Sequence, residues 1–401
     1  MIKSRSTQQH WDIFCTVVDN YGDIGVTWRL AKQLAIEYQI QVNLWVDDLH
    51  SFSHILPELN PKQTIQCFYD VTIKQWNTPL DLDYLPGAVL IEAFACQLPD
   101  IVLETINSMH RQNRSVPVWL NLEYLSAEDW VDGCHGLLSM QPSGIKKYFY
   151  FPGFTAKTGG VICEKALFKQ RDAWQKNPDN RRQLFDRLGL QGIDDEDTVI
   201  SIFSYESPAL DALCRHWQDS GSHIDTNSKS GNKIHALLPM GRSLNSLKAW
   251  LPELDSVKPG DSYRHNKLTL HILPMTDQQG FDRLLWSCDF NIVRGEDSFL
   301  RAQWAAKPFI WHIYPQEDDY HLIKLRAFIA LYCHNLAPDV AASWATLNFA
   351  FNQDGTDTII PAWKQVGIAN KSLLEHAKQW SIFALNDADL ASRLVQFVEN
   401  S

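Results

Sequence analysis

The chain lacks any cysteine pattern for metal or redox work. Its eight cysteines stand at 15, 67, 96, 134, 163, 214, 288 and 333, and no two have CxxC spacing. Buried free thiols of a reducing compartment are the expectation. Cys134-His135 and Cys333-His334 lack the spacing of a zinc site. No apolar run is long enough to span a bilayer, and the polar start, Met1 to His10, has no apolar core of a secretory signal. These absences predict a cytoplasmic protein that does not enter a membrane. Positive charge is also scarce: 36 Lys and Arg face 47 Asp and Glu, a net charge of -11. That argues against non-specific binding of nucleic acid or an anionic membrane surface, and leaves a basic protein partner open. No GxGxxG follows a predicted strand, which disfavours a nicotinamide dehydrogenase.

What is present fits an α/β protein. At 401 residues two domains are the default. In the first part, apolar runs at Ile13–Val18, Gln41–Val46, Ile65–Tyr69, Ala88–Ala93 and Val116–Leu122 read as strands. Ile24–Tyr38 and Asp100–His110 have helical spacing between them. A second series has strands at Thr198–Ser204, Lys233–Leu238, Lys267–Leu273, Phe290–Val293 and Pro308–Ile313. Its helices are Pro208–Gln218, Ser243–Leu251, Gly280–Cys288 and Ser298–Ala306. Such alternation predicts βα units around parallel sheets. The aromatic passage Tyr148–Gly160 is expected to pack at a domain boundary, and the polar stretch Lys169–Arg182 to hold the linker. After Asp319 the chain reads as helical, with Asn386-Asp387 capping the last helix. The expected division is an N-terminal Rossmann-like domain over 1–165, a linker over 166–182, a C-terminal Rossmann-like domain over 183–370 and C-terminal helices over 371–401. Those helices could pack back on the first domain.

Five places carry candidate chemistry. The run Asp19-Asn20-Tyr21-Gly22-Asp23-Ile24-Gly25 joins a buried strand to a helix. A helix cap explains one acid; two acids between glycines at a strand's carboxyl end also suit an active site, and both readings stand. Arg294-Gly295-Glu296-Asp297-Ser298 is again strand, turn and helix, with Asp297 or Ser298 as the N-cap. Such a helix start, with Arg294 beside it, suits phosphate, whereas Glu296 points to work on a cationic or protic substrate. In the third place, Gln278 and Phe281 could hold a pyrimidine base by its edge and its face, with Tyr205 as the other face. The fourth is a pair of acids, Glu92 and Glu123, that end strands and read best as structural. Finally, Asp81-Leu82-Asp83 has the look of a metal-binding DxD but lies in a Pro/Asp-rich loop, so no metal is predicted.

The opening run, together with Glu92–Cys96, Trp119–Glu128, Phe151–Gly160 and Arg294–Gln303, resembles the EarP family of bacterial protein-arginine rhamnosyltransferases over nearly the whole chain. The resemblance implies a GT-B fold, two Rossmann-like domains facing a cleft, and an inverting, metal-independent transfer without a cofactor. It implies dTDP-β-L-rhamnose as donor. The implied acceptor is one arginine at a loop tip in the N-terminal domain of elongation factor P, whose modification supports translation through proline runs. By motif the essential acids fall on Asp19, Asp23 and Glu296, and the nucleotide-binding positions on Tyr205, Gln278, Phe281, Arg294, Asp297 and Ser298. The alternatives are a GT-B transferase of another sugar or acceptor, and a catalytically silent nucleotide-sugar-binding scaffold.

Overall fold

The computed structural model describes residues 10–18, 21–76, 84–221 and 233–401. Asp19 and the Asp81-Leu82-Asp83 run lie outside them. The chain divides into two compact units, Met1–Lys165 with Ala384–Ser401, and Ala166–Phe383.

Among the described residues the first unit carries eight strands: β1 (Trp11–Cys15), β2 (Val42–Val46), β3 (Ile65–Phe68), β4 (Val71–Gln75), β5 (Val89–Ala93), β6 (Val118–Leu122), β7 (Leu138–Met140) and β8 (Lys146–Tyr150). Their order is β3-β4-β2-β1-β5-β6-β8-β7, parallel throughout the middle, with β3 and β7 antiparallel at the edges. All five residues of β1 are buried, as a strand covered on both faces requires. Phe14, Trp45, Tyr84, Leu90 and Trp119 build the core on one face. Asp12 is buried at the strand's start. It accepts from Trp45 Nε1 at 2.9 Å, Gly87 N at 2.8 Å and Asn43 Nδ2 at 3.1 Å, and His10 Nε2 lies at 3.2 Å. Burial pushes its pKa up, but the bonds from His10 and Trp45 outweigh it and hold the carboxyl below its usual range. Gly87 is required there, because a Cβ would lie 2.0 Å from the His10 carbonyl oxygen.

The second unit has β9 (Thr198–Ile202), β10 (Ile234–Pro239), β11 (Ser262–His265), β12 (Leu268–Leu273), β13 (Phe290–Arg294) and β14 (Phe309–His312). The order is β11-β12-β10-β9-β13-β14, again parallel except for the edge strand β11. In both units the chain first builds outward to one side of its opening strand and then to the other. The order therefore reverses between β1 and β5 and between β9 and β13. Ligands bind outside the carboxyl ends of strands at such switch points.

Several expectations are corrected. Lys169–Arg182, expected to hold the linker, lies in the helices Leu167–Lys176 and Pro178–Arg187. Arg171 ties the first of these down by donating to the Trp304 carbonyl and Ser381 Oγ, both at 3.0 Å. Its polar sequence reflects helices with only a narrow buried stripe. The aromatic passage begins in strand β8. The helix expected over Ser243–Leu251 is only Arg242–Asn245. In the helical tail, Asp389 caps the helix Leu390–Glu399 by accepting from Ser392 N at 3.1 Å. Asn386 and Asp387 instead take left-handed φ values of 47° and 68° after the helix Thr356–Leu385.

Candidate active site

In the first unit the helix Gly22–Tyr38 leaves the carboxyl end of β1, at the switch point. Asp23 stands in its first turn and is 3% exposed. Its Oδ2 accepts from Val18 N at 2.9 Å and Oδ1 from the Tyr124 hydroxyl at 3.1 Å. Tyr124 follows β6, so residues distant in sequence fix this acid from two sides. Asp47, just after β2, accepts from Val17 N at 2.9 Å and Asp48 N at 2.8 Å, which holds the strand-to-helix connection. Glu92 is buried in β5 and takes hydrogen bonds from Lys147 and from Trp119 Nε1, and burial raises its pKa. It is a paired structural acid, and Glu123 accepts from Asn121 Nδ2 in the same manner. Asp19 lies outside the described residues.

In the second unit the residues singled out above gather at the β9/β13 switch point. Arg294 ends β13, and its guanidinium carbon lies 4.6 Å from the ring centre of Phe203 and 4.7 Å from that of Tyr205. It is buried, and among the described residues its Nη1 has no hydrogen-bond partner. Next comes Gly295 with φ 62°, the left-handed value a glycine adopts without strain. Its carbonyl accepts from Trp311 Nε1 at 2.8 Å. The helix Asp297–Trp304 then begins, with Glu296 at the N-cap position and no side-chain cap. Neither Asp297 nor Ser298 is the cap: the Ser298 hydroxyl donates back to the Arg294 carbonyl. The first-turn N–H groups of a helix have no intrahelical partner. His312, at the end of β14, is buried beside this centre. Burial first, then the Arg294 and Arg242 guanidiniums, push its pKa down to about 3, so it stays neutral.

Phe281 stands in the first turn of the helix Gln278–Ser287, which Asp277 caps by accepting from Gly280 N at 2.7 Å. Gln278 is buried and Phe281 half-buried. The Phe281 ring meets Phe203 edge-on with centroids 5.7 Å apart. Phe203 thus touches both Phe281 and Arg294. The expectation that Tyr205 offers a face to a base is not met. Its ring is 1% exposed, with Arg242, Arg294, His312 and Tyr314 all around it. The half-buried ring is Phe203, which sequence reasoning passed over. The only signal was an aromatic ending a strand, a feature shared by many core residues. Reasoning also missed Tyr124 as the partner of Asp23. Arg301 belongs to the same motif as Arg294 but does other work. It grips Asp282 through Nε–Oδ1 at 2.8 Å and Nη2–Oδ2 at 2.6 Å, joining the helices that carry Ser298 and Phe281.

Comparisons with known proteins bear on these two centres. Residues 11–399 match the family model described as Elongation-Factor P (EF-P) rhamnosyltransferase EarP. A protein-arginine rhamnosyltransferase of Shewanella oneidensis is 65% identical over 402 residues, covering 100% of both chains. One of Pseudomonas putida is 44% identical, over 98% of this chain and 99% of its own. A solved chain from work on EarP-mediated arginine glycosylation of translation elongation factor EF-P is 33% identical, with a TM-score of 0.65 over 98% of this chain and 99% of that one. UDP-GlcNAc 2-epimerase from Neisseria meningitidis is 11% identical with a TM-score of 0.50, a likeness of fold alone. The fold is GT-B.

Proposed function

The chain belongs to the EarP family, and we propose that it transfers L-rhamnose from dTDP-β-L-rhamnose, with inversion, to an arginine guanidinium of translation elongation factor P. A guanidinium is protonated at any ordinary pH and its nitrogens only donate. It becomes a nucleophile when a carboxylate localises its charge and removes a proton as the C–N bond forms. Asp23 is the base in this reading, and its two observed donors aim it. Asp19 orients the guanidinium or stiffens the turn. The departing nucleotide diphosphate gains negative charge, which Arg294 and the N-terminal turn of the helix Asp297–Trp304 stabilise, the role a metal ion would otherwise fill. Asp297 and Ser298 act through that backbone. Phe281, with Phe203, takes the face of thymine, Gln278 reads its edge, and Tyr205 supports Arg294. Glu296 touches the sugar or the acceptor. One displacement gives the α-rhamnosyl arginine.

The observation that most supports the donor assignment is Arg294, a buried guanidinium with a nitrogen unpartnered among the described residues, beside a helix start and a half-buried aromatic pair. Burying an unsatisfied cation is costly unless a ligand completes it. No helix among the described residues is long and apolar enough to cross a membrane, and the reading places the enzyme in the cytoplasm with its acceptor. Mass spectrometry of elongation factor P after incubation with the protein and dTDP-rhamnose tests the whole. One deoxyhexose on one arginine is expected. An unmodified factor, or equal transfer from other nucleotide sugars, overturns it.

A further inference from the structure

At the carboxyl ends of β5 and β6 two aromatic rings form a platform that neither core packing nor the chemistry above requires. Phe94 and Tyr124 stack with centroids 4.4 Å apart and planes 17° from parallel. Tyr124 is 40% exposed and Phe94 half-buried. The backbone that sets them there is strained. Phe94 and Ala95 take consecutive left-handed φ values of 58° and 53°, conformations disfavoured for residues with a Cβ and most of all for a bulky one. The turn is held from β6: Phe94 N donates to the Leu122 carbonyl at 2.7 Å and Ala95 N to Asn121 Oδ1 at 3.2 Å. Glycine would relieve such a turn; this one keeps a large ring on it instead.

The platform is tied to Asp23 by the Tyr124 hydroxyl, 3.1 Å from Oδ1. Val18 N donates to Oδ2 in the same way. A flat cation stacked on the outer face of Tyr124 would bring its edge N–H groups toward the carboxylate that the Tyr124 hydroxyl meets. A guanidinium is such a cation: it is planar, weakly hydrated and stacks on aromatic faces. Resting on the functional reading above, we propose that Phe94 and Tyr124 are the platform that receives the acceptor arginine, with Tyr124 also a positioning residue for Asp23. This makes arginine, rather than any nucleophile in a loop, the side chain that fits.

The test uses the full-length protein, elongation factor P and dTDP-rhamnose. Phe94→Leu and Tyr124→Leu are expected to raise the KM for elongation factor P by roughly 3- to 30-fold, with donor Kd unchanged by calorimetry. Tyr124→Phe keeps the ring, so acceptor KM stays near wild type. It removes a hydrogen bond to the carboxylate, which raises the basicity of Asp23, and the acid limb of the kcat profile moves to higher pH. That variant also guards against the leucine substitutions failing to fold. Wild-type activity with unaltered acceptor KM in Phe94→Leu and Tyr124→Leu, or an unmoved acid limb in Tyr124→Phe, overturns this inference alone. A wild-type protein that leaves elongation factor P unmodified overturns the functional reading and takes the inference with it.

Discussion

The Arg301–Asp282 pair allows a motif residue of structural purpose to be told from its functional neighbours. Both side chains are buried, at 1% and 7% exposure, and meet through two bonds of 2.8 and 2.6 Å. Asp282→Asn keeps size and shape and removes the counter-charge. Breaking one partner of a buried pair costs about 3–5 kcal/mol, far more than the pair's worth against apolar residues of the same volume. A domain of this size loses roughly 2–4 °C of Tm per kcal/mol, so the second unit's transition should fall by roughly 6–20 °C. The two units need not melt together. On the proposed function, added dTDP should mark the relevant transition, since a ligand at a hundred times its Kd raises the stability of the unit that binds it by about 2.7 kcal/mol. The double variant Arg301→Met with Asp282→Leu should recover most of the loss. If Asp282→Asn melts within about 1 kcal/mol of wild type, or if the double variant is no better than the single, the pair is not the buried clamp described above.

Asp23→Asn should abolish transfer while donor Kd by calorimetry stays within about twofold; a fall in affinity matching the fall in rate removes Asp23 from the role of base. Phe281→Ala should weaken donor binding by roughly 5- to 150-fold, the worth of one base stacked on an aromatic face, and an unchanged Kd refutes the stacking. The second unit should also carry an acid-sensitive element. His271 Nε2 lies 2.9 Å from His235 Nδ1, and His235 Nε2 lies 3.2 Å from Asp197. Burial, then His235, push the His271 pKa down to about 4. The unfolded chain takes up that proton first, near pH 6.5. Stability is therefore complete above about pH 6.5 and falls as pH drops toward about 4, by on the order of 3 kcal/mol. His271→Gln should flatten that limb in urea melts taken across the range; an unchanged slope removes His271 as its cause.

Much of the architecture was legible because its signals are local. β1 and β9 are short apolar runs that lead into amphipathic stretches, and such strands fit a sheet covered on both faces. The strands that escaped notice lack the usual punctuation. β4 is one: it follows the expected β3 across Tyr69-Asp70, whose φ values of 52° and 61° make a tight hairpin connection without the glycine that ordinarily announces one. Lys169–Arg182 reads as solvated because the residues that fasten it, Arg171 and Trp174, are polar or amphipathic and their partners lie more than a hundred residues away.

The site divides along the same line. Asp23, Arg294 and Phe281 could be singled out because each stands in a strand–turn–helix run that shows its own chemistry. Which of those runs sits where a sheet reverses direction is a property of strand pairing, and the reversal at β1/β5 and β9/β13 appears only once the order is known. The choice of Tyr205 over Phe203 went wrong for the same reason. Both follow β9 in irregular backbone, where strand alternation no longer fixes a side chain's direction, and only the folded chain shows that Phe203 meets Phe281 while Tyr205 is buried against Arg294. Tyr124 is the extreme case: its partner Asp23 lies 101 residues earlier, and no local pattern encodes a bond of that span. The motif contains both ends of that bond, but only the parallel register of β1, β5 and β6 brings them together.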